Sequence, residues 1–464
     1  MVVRGTELIS GPRSLVGKRS AGRNVGLCLL AMPLPHALIE RYSGLFRSKE
    51  GVAATISSWG VARWFSMRIS IILALVLFLC LPAAHATTIN AATCSQSDVQ
   101  NAVNSASNGD TVHMPGPCVV AWPSNVTVTG KGITVDGGGN TTITSSYAFN
   151  IQSSLTVSTR ITGFIFTGPG SPTNGDISTS GNKSNATFRI DHNIFTNASP
   201  TVIACWNNAP GLIDHNTFTG GGASEMIHNM AMGSTDASGW TDDVMPGGPN
   251  MLFIEDNTFT FAGCTSNCSF LGTSAVQSYY GARTVVRHNT LNMAQVDQHG
   301  TAGNIGARWW EIYDNTFNIV PGGNQSAYMD LRAGSGVVFN NHQIGSTNLG
   351  AGNIILREED TGYPALYQIG RGTNEDYSPA YVWGNDSSMN VVSNSSNVQA
   401  NRDFFASTTQ PANLVRCELG TDGGTANGLI GSCPGTYSYV PYPYPHPLQG
   451  ASVGAPTGLA AVVH

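Results

Sequence analysis

The amino-acid sequence predicts an all-β fold, a right-handed parallel β-helix (a solenoid) with a short capping helix near its start. A short motif recurs six times: an apolar residue, two polar or aromatic residues, Asn, any residue and, usually, Phe. Its Asn residues, at positions 193, 216, 257, 289, 315 and 341, are 23, 41, 32, 26 and 26 residues apart. A shortest spacing of 23 residues, with longer intervals from insertions, is typical of a solenoid that carries loops on some coils.

Stacked coils give this motif a physical explanation. Coils of a β-helix place equivalent residues about 4.8 Å apart, so an Asn at one bend can bond to the Asn above and below it. Asn also tolerates the left-handed conformation that such a bend requires. The apolar residue and the Phe should point inward, and one internal stack should contain Asn193, Asn216, Asn257, Asn289 and Asn315. The Leu spacing of a leucine-rich repeat, the main rival, is absent.

The composition changes after residue 86. Residues 1–86 contain ten Lys and Arg and three Asp and Glu, whereas the remainder contains 12 and 25, a net charge of −13. This negative charge argues against nucleic acid as a partner, because phosphates require clustered cations. The remainder is long for one globular core, but a solenoid escapes that limit since each coil buries its neighbour. We therefore predict one β-helix domain over 87–448.

The start of the chain has the pattern of an export signal. Met67 and Arg68 precede an apolar run that ends at Leu81, and Ala84-His85-Ala86 has the small residues of a cleavage site. We predict a signal peptide over 67–86, with 1–66 as an upstream extension of the reading frame. A membrane anchor is the rival interpretation, but the run is too short to span comfortably. The mature protein should be secreted or periplasmic, free of the membrane and monomeric.

Export permits disulfides, and the cysteines after the signal peptide suggest local pairs. The expected pairs are Cys94–Cys118, Cys264–Cys268 and Cys417–Cys433, with Cys205 left free. A metal site at Cys264 and Cys268 would need a second pair of ligands that the sequence lacks, so we predict no such site.

The repeated motif resembles the coils of right-handed parallel β-helix proteins of the pectate-lyase superfamily. Three further features match secreted bacterial members: a helix-like stretch whose Val99, Ala102, Val103 and Ala106 share one face, the segments 368–372 and 381–385, and the closing stretch 442–448. The likeness covers 94–448 and implies the fold, a capping helix and a polymer bound along one sheet. Residues 455–459 resemble the opening of a fibronectin type III module that the chain does not complete, with a disordered tail over 449–464 as the alternative.

Recurrence separates scaffold from candidate functional residues. Ile-Asp-His occurs at 190–192 and again at 213–215, so we interpret it as part of the coil. By alternation along a strand, Asp191, Asp214, Glu255 and Arg287 should face outward in one column. Stacked carboxylates repel one another unless a cation lies between them. A salt-bridged column is favoured over a calcium site, and Ca²⁺ is possible as a cofactor but not required.

The preceding strand of each coil carries the more suggestive residues. With Ile227, Val296, Met329 and Leu356 buried, the outward set on five successive coils is His228, Tyr280, Asp297, His299, Asp330, Arg332 and Arg357. The insertion 219–251, which contains Trp240, and the loop 301–307 would form walls. Arg308 and Glu311 should form a supporting pair or a rim. Only 11% of the residues are charged, so a group of acidic and basic residues on one face indicates a functional site.

Three functions follow. The first is a lyase that cleaves a uronate-containing polysaccharide by β-elimination, with Arg332 and Arg357 neutralising the carboxylate and His299 or Tyr280 as the base. Substrate contacts would come from His228, Arg357, Trp240 and Arg308. The second is a glycoside hydrolase that uses Asp297 and Asp330 on neighbouring coils. The third is a surface β-helix that binds glycan without catalysis.

Overall fold

The computed structural model describes residues 86–152, 157–170, 174–180, 187–198, 200–220, 224–231, 244–261, 273–300, 305–319, 327–345, 354–358, 369–371, 377–393, 396–416 and 435–450. Packing divides the chain into two units, Met1–Pro82 and Ala83–His464, and every described residue belongs to the second. The predicted extension, the signal peptide before Ala86 and the tail after Gly450 lie outside the described residues. None of the described helices is long and apolar enough to cross a membrane.

The described elements are short strands with a helix near each end. The first coils contain β1 (Thr88–Asn90), α1 (Gln96–Ser105), β2 (Thr111–His113), β3 (Cys118–Val120), β4 (Val126–Thr129), β5 (Thr134–Ile143), β6 (Phe149–Gln152), β7 (Thr159–Phe166), β8 (Ile177–Ser180), β9 (Phe188–Asp191) and β10 (Ile194–Phe195). The middle coils contain β11 (Ile203–Trp206), β12 (Gly211–Asp214), β13 (Thr217–Gly220), β14 (Ser224–Met230), β15 (Leu252–Glu255), β16 (Thr258–Phe261), β17 (Thr273–Tyr279), β18 (Arg283–Arg287), β19 (Thr290–Asn292) and β20 (Gln295–Gln298). The last part contains β21 (Trp309–Tyr313), β22 (Thr316–Ile319), β23 (Met329–Leu331), β24 (Ser335–Phe339), β25 (His342–Gly345), β26 (Ile354–Leu356), β27 (Ala380–Trp383), β28 (Val391–Ser393), β29 (Phe404–Ser407), β30 (Leu414–Val415), β31 (Thr436–Tyr437) and α2 (Pro447–Gly450).

Strands β1 to β29 form three parallel sheets along a right-handed β-helix, which confirms the predicted fold class, and β30 and β31 form a separate antiparallel pair. Sheet 1 contains β1, β2, the first halves of β5 and β7, β9, β12, β15, β18, β21, β24, β27 and β29. Sheet 2 contains β3, the second halves of β5 and β7, β10, β13, β16, β19, β22 and β25. Sheet 3 contains β4, β6 and β8, then β11, β14, β17, β20, β23, β26 and β28. Each complete coil contributes one strand to each sheet.

The predicted Asn stack lies at the bend from sheet 1 to sheet 2 and is confirmed. The amide Nδ2 of Asn193 donates to Oδ1 of Asn216 at 3.1 Å, and the same bond links Asn216 to Asn257 at 3.0 Å. The stack continues through Asn289 and Asn315 to Asn341 and Asn385. Each Nδ2 also donates to a backbone carbonyl of its own bend, so the stack satisfies buried polar groups that the bend would otherwise leave unpaired.

The left-handed residue of each bend is not the Asn, as we expected, but the residue before it. Positive φ values of 55°, 54° and 58° occur at His192, His215 and Asp256, and Gly384 has 61° before Asn385. The reason is that the Asn side chain must point into the bend to reach its neighbours, so the preceding residue makes the reversal.

The interior is apolar and regularly stacked. Phe195, Phe218 and Phe259 lie on successive coils with ring centroids 4.8 and 4.7 Å apart and planes within 8° of parallel. At the N-terminal end, α1 covers the core with the buried side chains of Val99, Ala102 and Val103, as the spacing predicted. Ser95 caps this helix by accepting a hydrogen bond from the backbone N–H of Asp98.

The column of Asp191, Asp214, Glu255 and Arg287 is salt-bridged as expected, but it does not face solvent. All four side chains are fully buried. The C-terminal segment 435–450, here called the strap, lies over sheet 1 and covers them. Arg287 donates to Glu255 at 2.6 Å and to the carbonyl of Tyr442 in the strap at 2.6 Å. The prediction of an exposed column was wrong because alternation shows only that a side chain leaves the core, not what covers it.

A disulfide joins Cys94 and Cys118, as predicted, and Cys205 is free and buried. The other two expected pairs fall outside the described residues. The bond closes a segment with a sequence separation of 24 and ties α1 to β3. It therefore holds the capping helix on the first coils, where a solenoid would otherwise expose an open end.

We expect Asn257→Ala to lower the free energy of unfolding by about 3 kcal/mol, because several buried polar groups would lose their partners. Asn257 donates to the carbonyls of Ile213 and Glu255 and bonds to both neighbouring Asn side chains. Urea denaturation followed by circular dichroism measures the loss. Asn150→Ala, a half-buried position outside the stack, is the control, and equal losses for both variants would contradict the role of the stack.

Peptide mapping without reduction should recover Cys94 linked to Cys118 and Cys417 linked to Cys433. Crosslinks stabilise a solenoid most at its two ends, where unpaired strand edges fray. Cys205 should react with an alkylating reagent only after the protein is unfolded, because its side chain is buried. Recovery of Cys417 and Cys433 as free thiols would disprove the second bridge.

Candidate functional site

The outer face of sheet 3 gathers polar residues from five coils in three rows. The first row aligns Glu225, Ser274 and Gln295. The second aligns His228, Gln277, Asp297 and Asp330. The third contains Tyr279, His299, Arg332 and Arg357, placed by backbone bonds from His299, Arg332 and Arg357 to the carbonyls of Ser278, Gln298 and Leu331. Alternation with buried Val276, Val296 and Met329 turns all three rows outward.

These rows surround a cavity of about 220 Å³. Its lining residues are polar or aromatic and come from β14, β17, β20, β23, β26 and the ends of those strands: Glu225, Ser274, Gln277, Tyr279, Gln295, Asp297, His299, Asp330, Arg332 and Arg357. Rigid strands hold each of them at a fixed spacing, which is the preorganisation that binding and catalysis need.

Two carboxylates and two guanidinium groups form a network in the floor of this cavity. Arg332 binds Asp297 through Nη2 at 2.5 Å and approaches Asp330 through Nε at 3.4 Å. Arg357 binds both oxygens of Asp330, at 2.9 and 2.8 Å. Gln277 adds an amide bond of 2.8 Å to Asp297. The carboxylates therefore fix both arginines in place beside the cavity.

Burial raises the pKa of Asp297 to about 7, against the opposing effect of Arg332. Both Asp297 and Asp330 are almost fully buried, so an unpaired charge at either position would be costly. Loss of one arginine would leave such a charge, and the network acts as a unit.

His299 is held in its neutral form. Burial, followed by the positive charges of Arg332 and Arg357, lowers the pKa of His299 to about 2. Its ring meets the ring of Tyr279 edge-on, with centroids 4.2 Å apart. Its Nδ1 is buried and has no hydrogen-bond partner among the described residues. His299 therefore lines the cavity with a neutral ring, and one nitrogen of that ring has no partner among the described residues.

Tyr279 supplies a protonated hydroxyl group beside His299. The Tyr279 hydroxyl donates to Glu225 Oε1 at 3.1 Å. Burial and the nearby Glu225 carboxylate raise the pKa of Tyr279, and burial raises the pKa of Glu225. The ring of His228 packs against that of Tyr279 at a tilt of 58°, with centroids 4.6 Å apart, and burial lowers the pKa of His228 to about 4. The cavity thus combines a neutral imidazole, a protonated phenol and two fixed cations.

The structure brings together five of the predicted residues in the cavity wall: Asp297, His299, Asp330, Arg332 and Arg357. His228 lies beside them, in contact with Tyr279. Tyr280 is not a lining residue: it has a positive φ of 48° in the turn after β17, and Tyr279 occupies the aromatic position. The shift by one residue follows from the register, because Val276 rather than Tyr279 aligns with Ile227.

Arg308 is not a lining residue of the cavity. Arg308 is fully buried, and Trp240 lies outside the described residues, as does 301–304 of the loop predicted to form a wall. Glu311 is also fully buried and does not form the expected pair or rim. It accepts hydrogen bonds from Trp309 and from Gly247 and Tyr439 at 2.7 Å, beneath the strap.

The prediction missed Glu225, Ser274, Gln277, Tyr279 and Gln295. Gln277 and Tyr279 could have been found by treating Val276 as the buried residue of its strand. Glu225 could not, because a register irregularity between Ser274 and Val276 shifts the alternation there. A strand that contains such a bulge turns side chains outward at positions that a strict period of two does not give.

Among the described residues, no cluster of three or more His, Cys, Asp and Glu side chains is placed to hold a metal ion. In the column beneath the strap, Arg160 and Arg189 bind Asp191 and Asp214, and Arg287 binds Glu255. These arginines therefore neutralise the carboxylates of the column, which is the role that we considered for a calcium ion.

No family model and no curated protein matches this sequence. The structure is similar to that of the PL6 family alginate lyase AlyGC, with 12% sequence identity and a TM-score of 0.34, over 70% of this chain and 54% of the other. An arginine-to-alanine variant of the same enzyme gives 11% identity and a TM-score of 0.35, over 70% and 53%. The chain spans about half the length of these solved structures. Because these similarities are low, the fold is assigned from the strand pairing alone.

We expect Arg357→Met to raise the pKa of His299, because it removes one of the two positive charges that lower it. Titration of the imidazole C–H signal by NMR measures this change. Arg332 still pairs with Asp330 in the variant, so the fold should persist. His446 lies in the strap, where burial and the charges of Arg287 and Arg189 lower its pKa, and it serves as the control. A shift of His446 with no shift of His299 would contradict the assignment.

Proposed function

We propose that this protein is a secreted polysaccharide lyase that cleaves a uronate-containing chain by β-elimination in the cavity of sheet 3. The observation that carries the proposal is the grouping of His299, Tyr279 and two carboxylate-held arginines around one cavity. β-Elimination needs a cation to neutralise the substrate carboxylate, a base to remove the proton next to it, and an acid for the leaving oxygen. The cavity contains one group suited to each task.

The reaction would begin with the uronate carboxylate beside Arg332 and Arg357. His299 would then remove the proton from the carbon next to the carboxylate. The electron pair of that C–H bond would form a carbon–carbon double bond, and the bond to the glycosidic oxygen would break. Tyr279 would supply a proton to that oxygen. The products would be one chain with a new unsaturated end and one with a restored hydroxyl group.

Substrate binding would also strengthen the base. The positive charges of Arg332 and Arg357 lower the pKa of His299 when the cavity is empty. A carboxylate placed beside them would offset part of that positive charge, so the imidazole would accept a proton more readily with substrate present. The base would be most effective when the acidic sugar is in place.

A hydrolase that uses Asp297 and Asp330 has less support. Such an enzyme needs one carboxyl group as an acid and the other as a nucleophile or base facing the sugar. Here both oxygens of Asp297 and both of Asp330 accept hydrogen bonds from guanidinium groups. The carboxylates serve to position Arg332 and Arg357. A binding protein without catalysis would not need the neutral His299 beside the protonated Tyr279.

Incubation of the mature protein with a panel of polyuronates should release products with the ultraviolet absorbance of unsaturated ends. Tyr279→Phe and His299→Ala should each slow the reaction by about 100-fold or more, because each removes a proton-transfer group. Tyr280→Phe is the matched control: it removes the same hydroxyl one residue outside the cavity lining and should leave the rate unchanged. Melting temperatures would be compared for all three.

New reducing ends without unsaturated products would favour the Asp297 and Asp330 hydrolase instead. Binding of a polyuronate with no product of either kind would favour the glycan-binding alternative. A full rate in Tyr279→Phe together with a loss in Tyr280→Phe would show that the aromatic residue is wrongly assigned.

A further inference from the structure

The outer face of sheet 2 has a composition unlike that of the other two sheets. On four successive coils the first outward position is Thr217, Thr258, Thr290 and Thr316. The second outward position, two residues later, is Thr219, Thr260, Asn292 and Asn318 on the same coils. We call these eight residues the threonine face. All of them are exposed or half-buried.

The pattern continues toward the N-terminus. Ile165 and Ile194 occupy the first row on two earlier coils, and Thr167 and Thr196 occupy the second. Ile194 is 43% exposed, although it contributes nothing to the core. Every outward position in both rows from Ile165 to Asn318 is thus Thr, Ile or Asn, and none carries a charge.

A solvent-facing strand does not require this uniformity. Thr is favoured in strands for its β-branch, yet the other two sheets of this protein use charged residues at outward positions, such as Arg160 and Arg287 on sheet 1 and Asp297 and Arg332 on sheet 3. The restriction to Thr, Ile and Asn holds on sheet 2 from Ile165 to Asn318, and His342 ends it on the next coil. A binding function for this sheet explains it.

The threonine face is regular both from coil to coil and along each strand. The residue between each pair of outward positions points inward, and Phe166, Phe195, Phe218 and Phe259 stack at 4.7, 4.8 and 4.7 Å with planes within 12° of parallel. This stack sets the repeat from coil to coil. Along each strand, outward residues are about 6.6 Å apart. Hydroxyl and methyl groups therefore lie on a two-dimensional grid.

The hydroxyls in the first row are available to a ligand. Within the part of the chain that the structure describes, no hydrogen bond engages the hydroxyls of Thr217, Thr258, Thr290 and Thr316. In the second row, Asn292 bonds to Thr260 at 3.0 Å and Asn318 bonds to Asn292 at 3.1 Å, which fixes the orientation of these side chains. The face thus offers ordered donors and acceptors beside ordered methyl groups.

We infer that the threonine face binds ice. A periodic surface recognises a periodic ligand, and the face repeats about every 4.8 Å from coil to coil and about every 6.6 Å along each strand. Threonine methyl groups order the water around them, while the hydroxyls anchor that water by hydrogen bonds. Water held on this grid would continue into the crystal. The absence of charged residues on the threonine face also favours ice as the ligand. Charged groups hold water in arrangements that do not occur in the ice lattice.

A crystalline polysaccharide is the main alternative ligand for a flat, periodic surface. Proteins contact sugar rings with the faces of aromatic side chains, which bury large apolar areas. The two rows from Ile165 to Asn318 contain no aromatic residue. Nucleic acid and anionic membranes would need cations, which the rows also lack. Ice is therefore the ligand that the composition favours.

Fluorescently labelled protein should be taken up into a single ice crystal grown slowly in its solution, and the protein should inhibit ice recrystallisation. Thr258→Lys and Thr290→Lys should each raise the concentration needed for that inhibition by at least about tenfold, since each charge disrupts the grid at its centre. Thr408→Lys, at an exposed position outside the face, should match the natural protein. Circular dichroism and the melting temperature would verify that each variant is folded.

Should a central variant fail to fold, Thr217→Lys on the neighbouring coil provides the same test at a more exposed position. Exclusion of the natural protein from the ice crystal would overturn the inference, as would equal inhibition by the natural protein and both central variants. Binding to crystalline cellulose or chitin without uptake into ice would assign the face to a polysaccharide. These outcomes do not depend on the lyase proposal, because the threonine face and the cavity lie on different sheets.

Discussion

The hydrogen bonds of the Asn stack are the constraint on which the rest of the structure depends. From Asn193 to Asn385, each amide bonds to the Asn of the next coil and to backbone carbonyls at the bend. This fixes the position of one coil over the next, because a slip by one residue would leave these buried groups unpaired. This alignment of the coils also sets the positions of the inward Phe stack, the outward rows of sheet 3 and the threonine face.

The fold was predictable because the stack repeats in sequence, at Asn residues that follow one short motif. The site was predictable only in part. Five lining residues follow from alternation along β20, β23 and β26. Tyr279 follows only if Val276 is recognised as the buried residue of β17. Glu225 does not follow, because its partner Ser274 adjoins a register irregularity. The burial of Glu255 and Arg287 was not predictable either. It depends on strap residues 155 or more positions away, which no local pattern links to these strands.

The cavity shows how a chain with few charges uses them. Asp297 and Asp330 are nearly buried, and each is held to an arginine that faces the cavity. Burial lowers the pKa of His299, and the same two cations add to that effect, so the ring is neutral. Position, charge and protonation are therefore coupled: a change in one of these groups alters the others. Such coupling explains why the residues are rigidly spaced on adjacent strands rather than placed on loops.

The strap also has a consequence for how the protein is made. Residues of sheet 1 such as Arg189 and Arg287 find part of their hydrogen bonding in carbonyls of Leu448 and Tyr442, up to 259 positions later in the chain. During synthesis these residues emerge first, so their charges stay hydrated until the last coil is complete. Docking of the strap is then the step that removes this water. A chain truncated before Tyr439 would still complete its coils. The charged residues of sheet 1 would then stay hydrated and accessible to proteases.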